Sequence, residues 1–140
     1  MYNERVQRII ELKEKLLEDK ERQMETFKRE DDRISQNLSV LDADIEERHE
    51  MLSTMLFSGT DFMVFKNYLV HLDASRSTWL RQQEEVRRQI EQIRLELTEL
   101  LKEIKMLETL KAKALAEVRR SRNKREQKKL DEIALRAMRG

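Results

Sequence analysis

The chain has 140 residues, 41% charged and 39% apolar, with two glycines, no proline, no cysteine and a formal net charge of +1. That composition excludes disulfides and thiolate chemistry, lacks the regular turn residues of a compact globule, and suits long helix. It contains no run of about 18 apolar residues and no N-terminal signal pattern, so a soluble, cytoplasmic chain without a transmembrane segment is expected.

From the N-terminus, steps of alternately four and three residues from Val6 meet Ile10, Leu17, Met24, Phe27, Ile34, Leu38, Leu41, Ile45, Leu52 and Met55. A 3.5-residue repeat of this kind sets every such side chain on one helical stripe that needs a partner stripe, and it argues against disorder. It predicts a first helix over residues 3–56, filled with good helix formers and with Glu and Lys or Arg spaced by three and four on its outer faces. Lys13, Lys20, Asp31 and Arg48 interrupt the stripe. They either snorkel from a thin seam or set polar layers that fix register, or else they keep the coil able to flex.

The one break falls at residues 57–61, Phe-Ser-Gly-Thr-Asp. Gly59 offers backbone freedom there, and Ser58 followed by Asp61 resembles a capping box with Asp in place of Glu. Leu56, Phe57, Phe62, Met63, Val64, Phe65 and Tyr68 crowd around it, more apolar surface than the end of a two-helix hairpin can bury. Phe62 and Phe65 belong to the seam. Phe57, Met63, Val64 and Tyr68 are left either for a partner or for an apolar plug that closes the hairpin.

The stripe restarts at Phe62 and runs through Phe65, Leu69, Leu72, Trp79, Val86, Ile90, Ile93, Leu97, Leu100, Ile104, Leu107, Ala114 and Val118, with Arg76, Gln83 and Lys111 as polar interruptions. It predicts a second helix over residues 61–137. At ~1.5 Å per residue the two arms would be roughly 80 Å and 115 Å long. Folded back antiparallel, they exhaust each other near Val118. The expected fold is all-α, a single-domain, long, asymmetric antiparallel two-helix coiled-coil hairpin with a C-terminal helical overhang, monomeric when free. The rival is a homodimeric structural rod whose helix continues through Gly59.

Residues 119–140 carry nine Lys or Arg against three Asp or Glu, a surplus of six, while residues 1–118 carry 20 basic and 25 acidic groups. Cations complement a helix C-terminus, but that accounts for the last turn and not for a cluster starting at Arg119. Within this tail Leu130, Ile133, Ala134 and Ala137 fall at i, i+3, i+4 and i+7, a short apolar stripe flanked by Lys128, Lys129, Arg136 and Arg139. Such an end suits a protein socket, an anionic lipid surface or a nucleic acid, or it is simply solvated. Stacking aromatics are missing from it and no nucleic-acid-binding motif occurs elsewhere, so a protein socket is the favoured reading.

Nothing in the sequence speaks for catalysis. His49 and His71 are the two histidines, there is no glycine-rich phosphate loop or metal-ligand spacing, and Glu46-Glu47 and Glu84-Glu85 lie on solvated faces. No catalytic residue, metal site or cofactor is expected.

The segment Arg125-Glu126-Gln127-Lys128-Lys129-Leu130-Asp131-Glu132-Ile133-Ala134-Leu135-Arg136 resembles the C-terminal signature of the flagellar export protein FliJ family. Residues 6–14 are similar to that family's opening helix, and residues 65–72 to its post-turn segment. The resemblance implies an antiparallel coiled coil shaped like the gamma stalk of rotary ATPases, one that engages the hexameric flagellar export ATPase and promotes its assembly and activity. It further implies contact with the export-gate membrane protein and with export chaperones, at the cytoplasmic side of the inner membrane. Carried over by motif, Arg122, Arg125, Lys128, Lys129, Leu130, Asp131, Ile133, Ala134 and Arg136 are candidates for the ATPase contact. The tip residue Phe57 joins Phe65, Tyr68, Leu72 and Trp79 as candidates for the gate or another partner. Asp44 and Arg48 stand where relatives place tyrosines. The stalk of a virulence type III secretion system shares the shape but tends to lack the Lys-Lys-Leu-Asp-Glu-x-Ala ending.

Overall fold

The computed structural model describes residues 2–54 and 58–139. These form two helices, α1 over Tyr2–Thr54 and α2 over Gly59–Arg139, and nothing but helix and the cap before α2 is found among the described residues. The fold is the expected all-α antiparallel coiled-coil pair. The predicted seam residues Met55, and Leu56 and Phe57 beside it, lie outside the described residues.

Ser58 starts α2. Its Oγ accepts from the Asp61 backbone N–H at 3.2 Å, and its carbonyl accepts from the Phe62 N–H at 2.9 Å. A serine in this position satisfies one of the helix's orphan donors. Helix two therefore begins two residues earlier than the sequence predicts. Gly59 belongs to its first turn with no positive φ, so the freedom of glycine is not what the turn uses there.

Contacts divide the chain into two compact units, Lys20–Glu96 and the pair Met1–Asp19 with Leu97–Gly140. In the first unit Ile34, Leu38, Leu69, Leu72 and Ile93 are buried, Ile34 completely. Polar pairs cross this seam in a steady antiparallel register. Lys20 Nζ lies 2.6 Å from Glu96 Oε2, Arg87 Nε donates to Asp31 at 3.1 Å, Gln83 Nε2 donates to the Ser35 hydroxyl at 2.8 Å, and Arg76 Nε donates to Asp42 at 2.6 Å. The second unit buries Val6, Ile10 and Ile104, with Leu17 and Leu107 packed against them. There Lys13 Nζ donates to Glu103 at 2.6 Å and Lys111 Nζ to the Gln7 side-chain oxygen at 2.5 Å.

Six of the seven polar interruptions thus take a partner on the opposite helix, and Arg48 covers two aromatic rings of it. Magnitudes separate their role from that of the apolar layers. A fully buried aliphatic side chain contributes about 1.5–3 kcal/mol, whereas a partly exposed ion pair contributes about 0–1 kcal/mol. The apolar layers hold the coil, and the polar ones choose which residues face each other.

Two stripe positions depart from expectation. Val118 is 54% exposed, and the last enclosed position on α2 is Ala114, so the seam ends one step earlier than the repeat does. Phe62 is 43% exposed, and enclosure on α2 begins with Phe65 and Leu69. A repeat fixes the face of a helix but not whether another helix reaches that face.

Candidate functional site

The terminal helix is the first candidate. Ala, Leu, Met, Gln, Glu, Lys and Arg make up nearly all of it, and these are the strongest helix formers. Arg136 and Arg139 stand in its last turn, where positive charge complements the helix dipole. Every residue over 115–139 is exposed. Leu130 and Ile133 are 60% and 61% accessible, and Leu135 and Met138 are exposed beside them. Arg122, Arg125, Lys128, Lys129 and Arg136 make no ion pair among the described residues, in contrast to the paired charges of the seam. Asp131 accepts a hydrogen bond from Gln127 at 3.2 Å. The structure therefore brings all nine tail candidates onto one solvent-exposed helix. A concavity on that helix where the seam stops is lined by Ala114, Val118, Ser121, Arg122 and Arg125 among others.

The second candidate follows the turn. Arg48 reaches from α1 across to α2, its guanidinium 4.4 Å from the Tyr68 ring centroid and 5.9 Å from that of Phe65. Asp44 accepts from Arg48 Nε at 3.1 Å and aims it. Such contacts are worth about 0.5–1 kcal/mol near a surface. Tyr68 is 40% exposed, Phe65 is half-buried, and Leu72 is buried in the seam, so Leu72 supports this surface from beneath and offers none of its own. Trp79, also half-buried, lies under Arg33 at 5.5 Å. Glu30 accepts from Arg33 at 2.5 and 3.0 Å. That hydrogen bond holds the Glu30 carboxyl below, and the Arg33 guanidinium above, their ordinary values. Phe57 lies outside the described residues. Met63, Val64 and Val70 are exposed around the same end of α2.

The repeat points to neither Val70 nor a further apolar set on the second unit, Ile9, Leu12 and Leu16 on α1 with Met106 and Leu110 on α2, all exposed. The i, i+3, i+7 spacing of Ile9, Leu12 and Leu16 was the available signal for that set. Among the described residues no group of three or more His, Cys, Asp or Glu could hold a metal ion, and no helix is long and apolar enough to cross a membrane.

These features define an antiparallel coiled-coil protein with one unpaired, cationic helix end and an aromatic, arginine-covered surface near its turn. The family model for the flagellar FliJ protein matches residues 2–140, and the chain belongs to that family. Membership places it among the components of flagellar protein export. No curated protein and no solved structure matches the chain.

Proposed function

We propose that the protein is a stalk of the flagellar type III export apparatus that engages the hexameric export ATPase through residues 119–140 and promotes its assembly and activity. The observation that carries this reading is the terminal helix: exposed over residues 115–139, with cations that form no ion pair among the described residues and an apolar stripe, in a chain of the FliJ family. Exposed apolar surface beside unpaired charge is what a partner site requires. A single stalk inside a six-membered ring meets unequal subunits, and so can bias assembly or turnover without doing chemistry itself.

The Arg48, Phe65, Tyr68 and Trp79 surface is the proposed contact for the export gate, with Leu72 beneath it; Phe57 remains a proposed part of that contact by its place in the sequence. Export chaperones are further proposed partners, and the working location is the cytoplasmic side of the inner membrane. The free protein is proposed to be a monomer, its seam satisfied within one chain.

The test is ATP hydrolysis by the flagellar export ATPase of the same organism, with the full chain and with a truncation to residues 1–118. That truncation keeps every seam pair. Stimulation by the full chain alone supports the reading. Equal stimulation by both moves the contact out of the tail, and stimulation by neither removes the ATPase role.

A further inference from the structure

The coil of the second unit has two unlike sides. In a two-helix coil each helix offers a seam face, an outward edge and two lateral sides, and antiparallel helices bring matching sides together. Over residues 5–16 of α1, one side holds Arg5, Ile9, Leu12 and Leu16, and over residues 102–113 of α2 the same side holds Glu103, Met106, Leu110 and Lys113. The other side holds Gln7, Glu11 and Glu14 beside Lys105, Glu108 and Ala112. These sets take in every residue of both stretches that lies neither in the seam nor on the outward edge. The hydrogen bond from Lys13 to Glu103 crosses between the helices on the first side, and that from Lys111 to Gln7 on the second.

The first side is apolar and cationic. Its five large apolar side chains are all exposed, and together they present roughly 500 Å², a patch size that on a soluble chain usually serves a partner. At its outer margin Met106 and Leu110 line an apolar concavity with Thr109 and the stems of Lys102 and Lys105. Glu103, the one acid of this side, is held by Lys13 at 2.6 Å. Arg5 and Lys113 form no ion pair among the described residues, and the outward edges add Arg8, Lys15 and Lys102. The second side has no large apolar residue and three glutamates to one lysine. Beyond the two stretches, Asp19 and Glu99 close the apolar side at one end and Glu117 at the other.

We propose that this side docks one short amphipathic helix of a partner protein, its apolar stripe laid in the groove between α1 and α2 and flanked by carboxylates. At ~1.5 Å per residue the patch is ~18 Å long, so three to four turns of a third helix cover it. The partner's carboxylates meet Arg5 and Lys113 and the cations of the outward edges. A second copy suits the patch less well. Laid parallel it sets Arg5 against Lys113, laid antiparallel it brings Arg8 near Lys15, and roughly 500 Å² falls short of the ~800 Å² per partner usual in a stable interface. A flat anionic lipid surface that ran past the patch would meet Asp19, Glu99 and Glu117. The site lies within the coil, apart from the terminal helix assigned to the ATPase, and does not depend on that assignment.

Two designed helical peptides are the probes, both with a leucine stripe, one flanked by glutamates and the other by lysines. The full chain should bind the glutamate peptide at least about 10-fold more tightly than the lysine peptide. Leu12→Gln with Met106→Gln should weaken the glutamate peptide at least about 10-fold. Arg5→Glu with Lys113→Glu should shift the preference at least about 10-fold towards the lysine peptide. All four positions are exposed and outside the seam, and thermal midpoints confirm that the coil is unchanged. Binding of neither peptide, or of both equally, overturns the acidic helix as occupant. The cations of the terminal helix are the same in every variant, so binding that either pair of substitutions leaves unchanged overturns the placement on this side. Tighter binding to phosphatidylglycerol vesicles than to the glutamate peptide replaces the helix with a lipid surface. A dimer in sedimentation that Leu12→Gln with Met106→Gln dissolves replaces it with a second copy.

Discussion

Lys13, Lys20 and Lys111 stand on the stripe that packs in the coil, and Arg125, Lys128 and Arg139 stand where that stripe would continue into the tail, yet their surroundings differ completely. The seam lysines meet Glu103, Glu96 and the Gln7 side chain of the opposite helix at 2.5–2.6 Å. The tail cations form no ion pair among the described residues. A cation on the stripe is a register device where a second helix is within reach, and has no such partner where none is. Apolar residues divide in the same way: Ile34 is fully buried, while Ile133 is 61% exposed.

The sharpest way to break this comparison is to truncate both isoleucines. Ile34→Ala should cost about 2–3 kcal/mol, the lower part of the range for such changes because a two-helix seam can close on the gap. Ile133→Ala should stay within about 0.5 kcal/mol. Urea midpoints measure both, and a comparable loss at Ile133 would mean the tail packs on something. A smaller effect belongs to the turn-proximal surface. Arg48→Ala should lose about 0.5–1 kcal/mol through its rings, and a double-mutant cycle with Tyr68→Leu should show coupling. Additive effects would mean that Arg48 acts on neither ring.

Gly59→Ala should move the other way. A Cβ at Gly59 meets nothing within 4 Å and the backbone there has no positive φ, so alanine should raise stability by about 0.4–1 kcal/mol. A lowered thermal midpoint would show that the turn does need glycine.

The smallest expected effect is acid sensitivity of one polar layer. The hydrogen bond from Lys20, and then that from Gln92, holds the Glu96 carboxyl below its ordinary value. A carboxylate depressed on folding contributes stability that is fully present above its unfolded pKa and is lost as pH falls through the folded one. The loss should therefore begin below about pH 4.3, the ordinary value for glutamate. In a series of urea midpoints against pH, Lys20→Gln should flatten that decline. Glu30, held low by Arg33, titrates in the same window and is unaffected by the substitution. An unaltered slope in Lys20→Gln would assign the acid loss to Glu30 and other carboxylates.

The seam was legible residue by residue because burial on a two-helix surface recurs with the period of the repeat. Its limits were not, because Val118 and Phe62 keep the period while the opposing helix does not enclose them. The pairings of Asp31 with Arg87 and Gln83 with Ser35 were equally hidden. A polar residue on a stripe reveals its face, and its partner depends on register, which only the folded pair defines. Of the candidate sites, the charge and apolar stripe of the tail were visible as composition. Their exposure over the whole length to Arg139 follows only from the folded pair. Leu72 is a partner candidate by motif likeness, and its burial in the seam was legible from the repeat.

Trp79 has an optical consequence. It is the one tryptophan in the chain, half-buried in the Lys20–Glu96 unit, and residues 115–139 contain no aromatic ring at all. Its indole emission, read with the Arg33 guanidinium 5.5 Å from the ring centroid, is a label already present in the molecule. A ligand that touches nothing but the terminal helix should leave that emission where it is. A spectral shift on such binding would mean that the event has travelled into the coil.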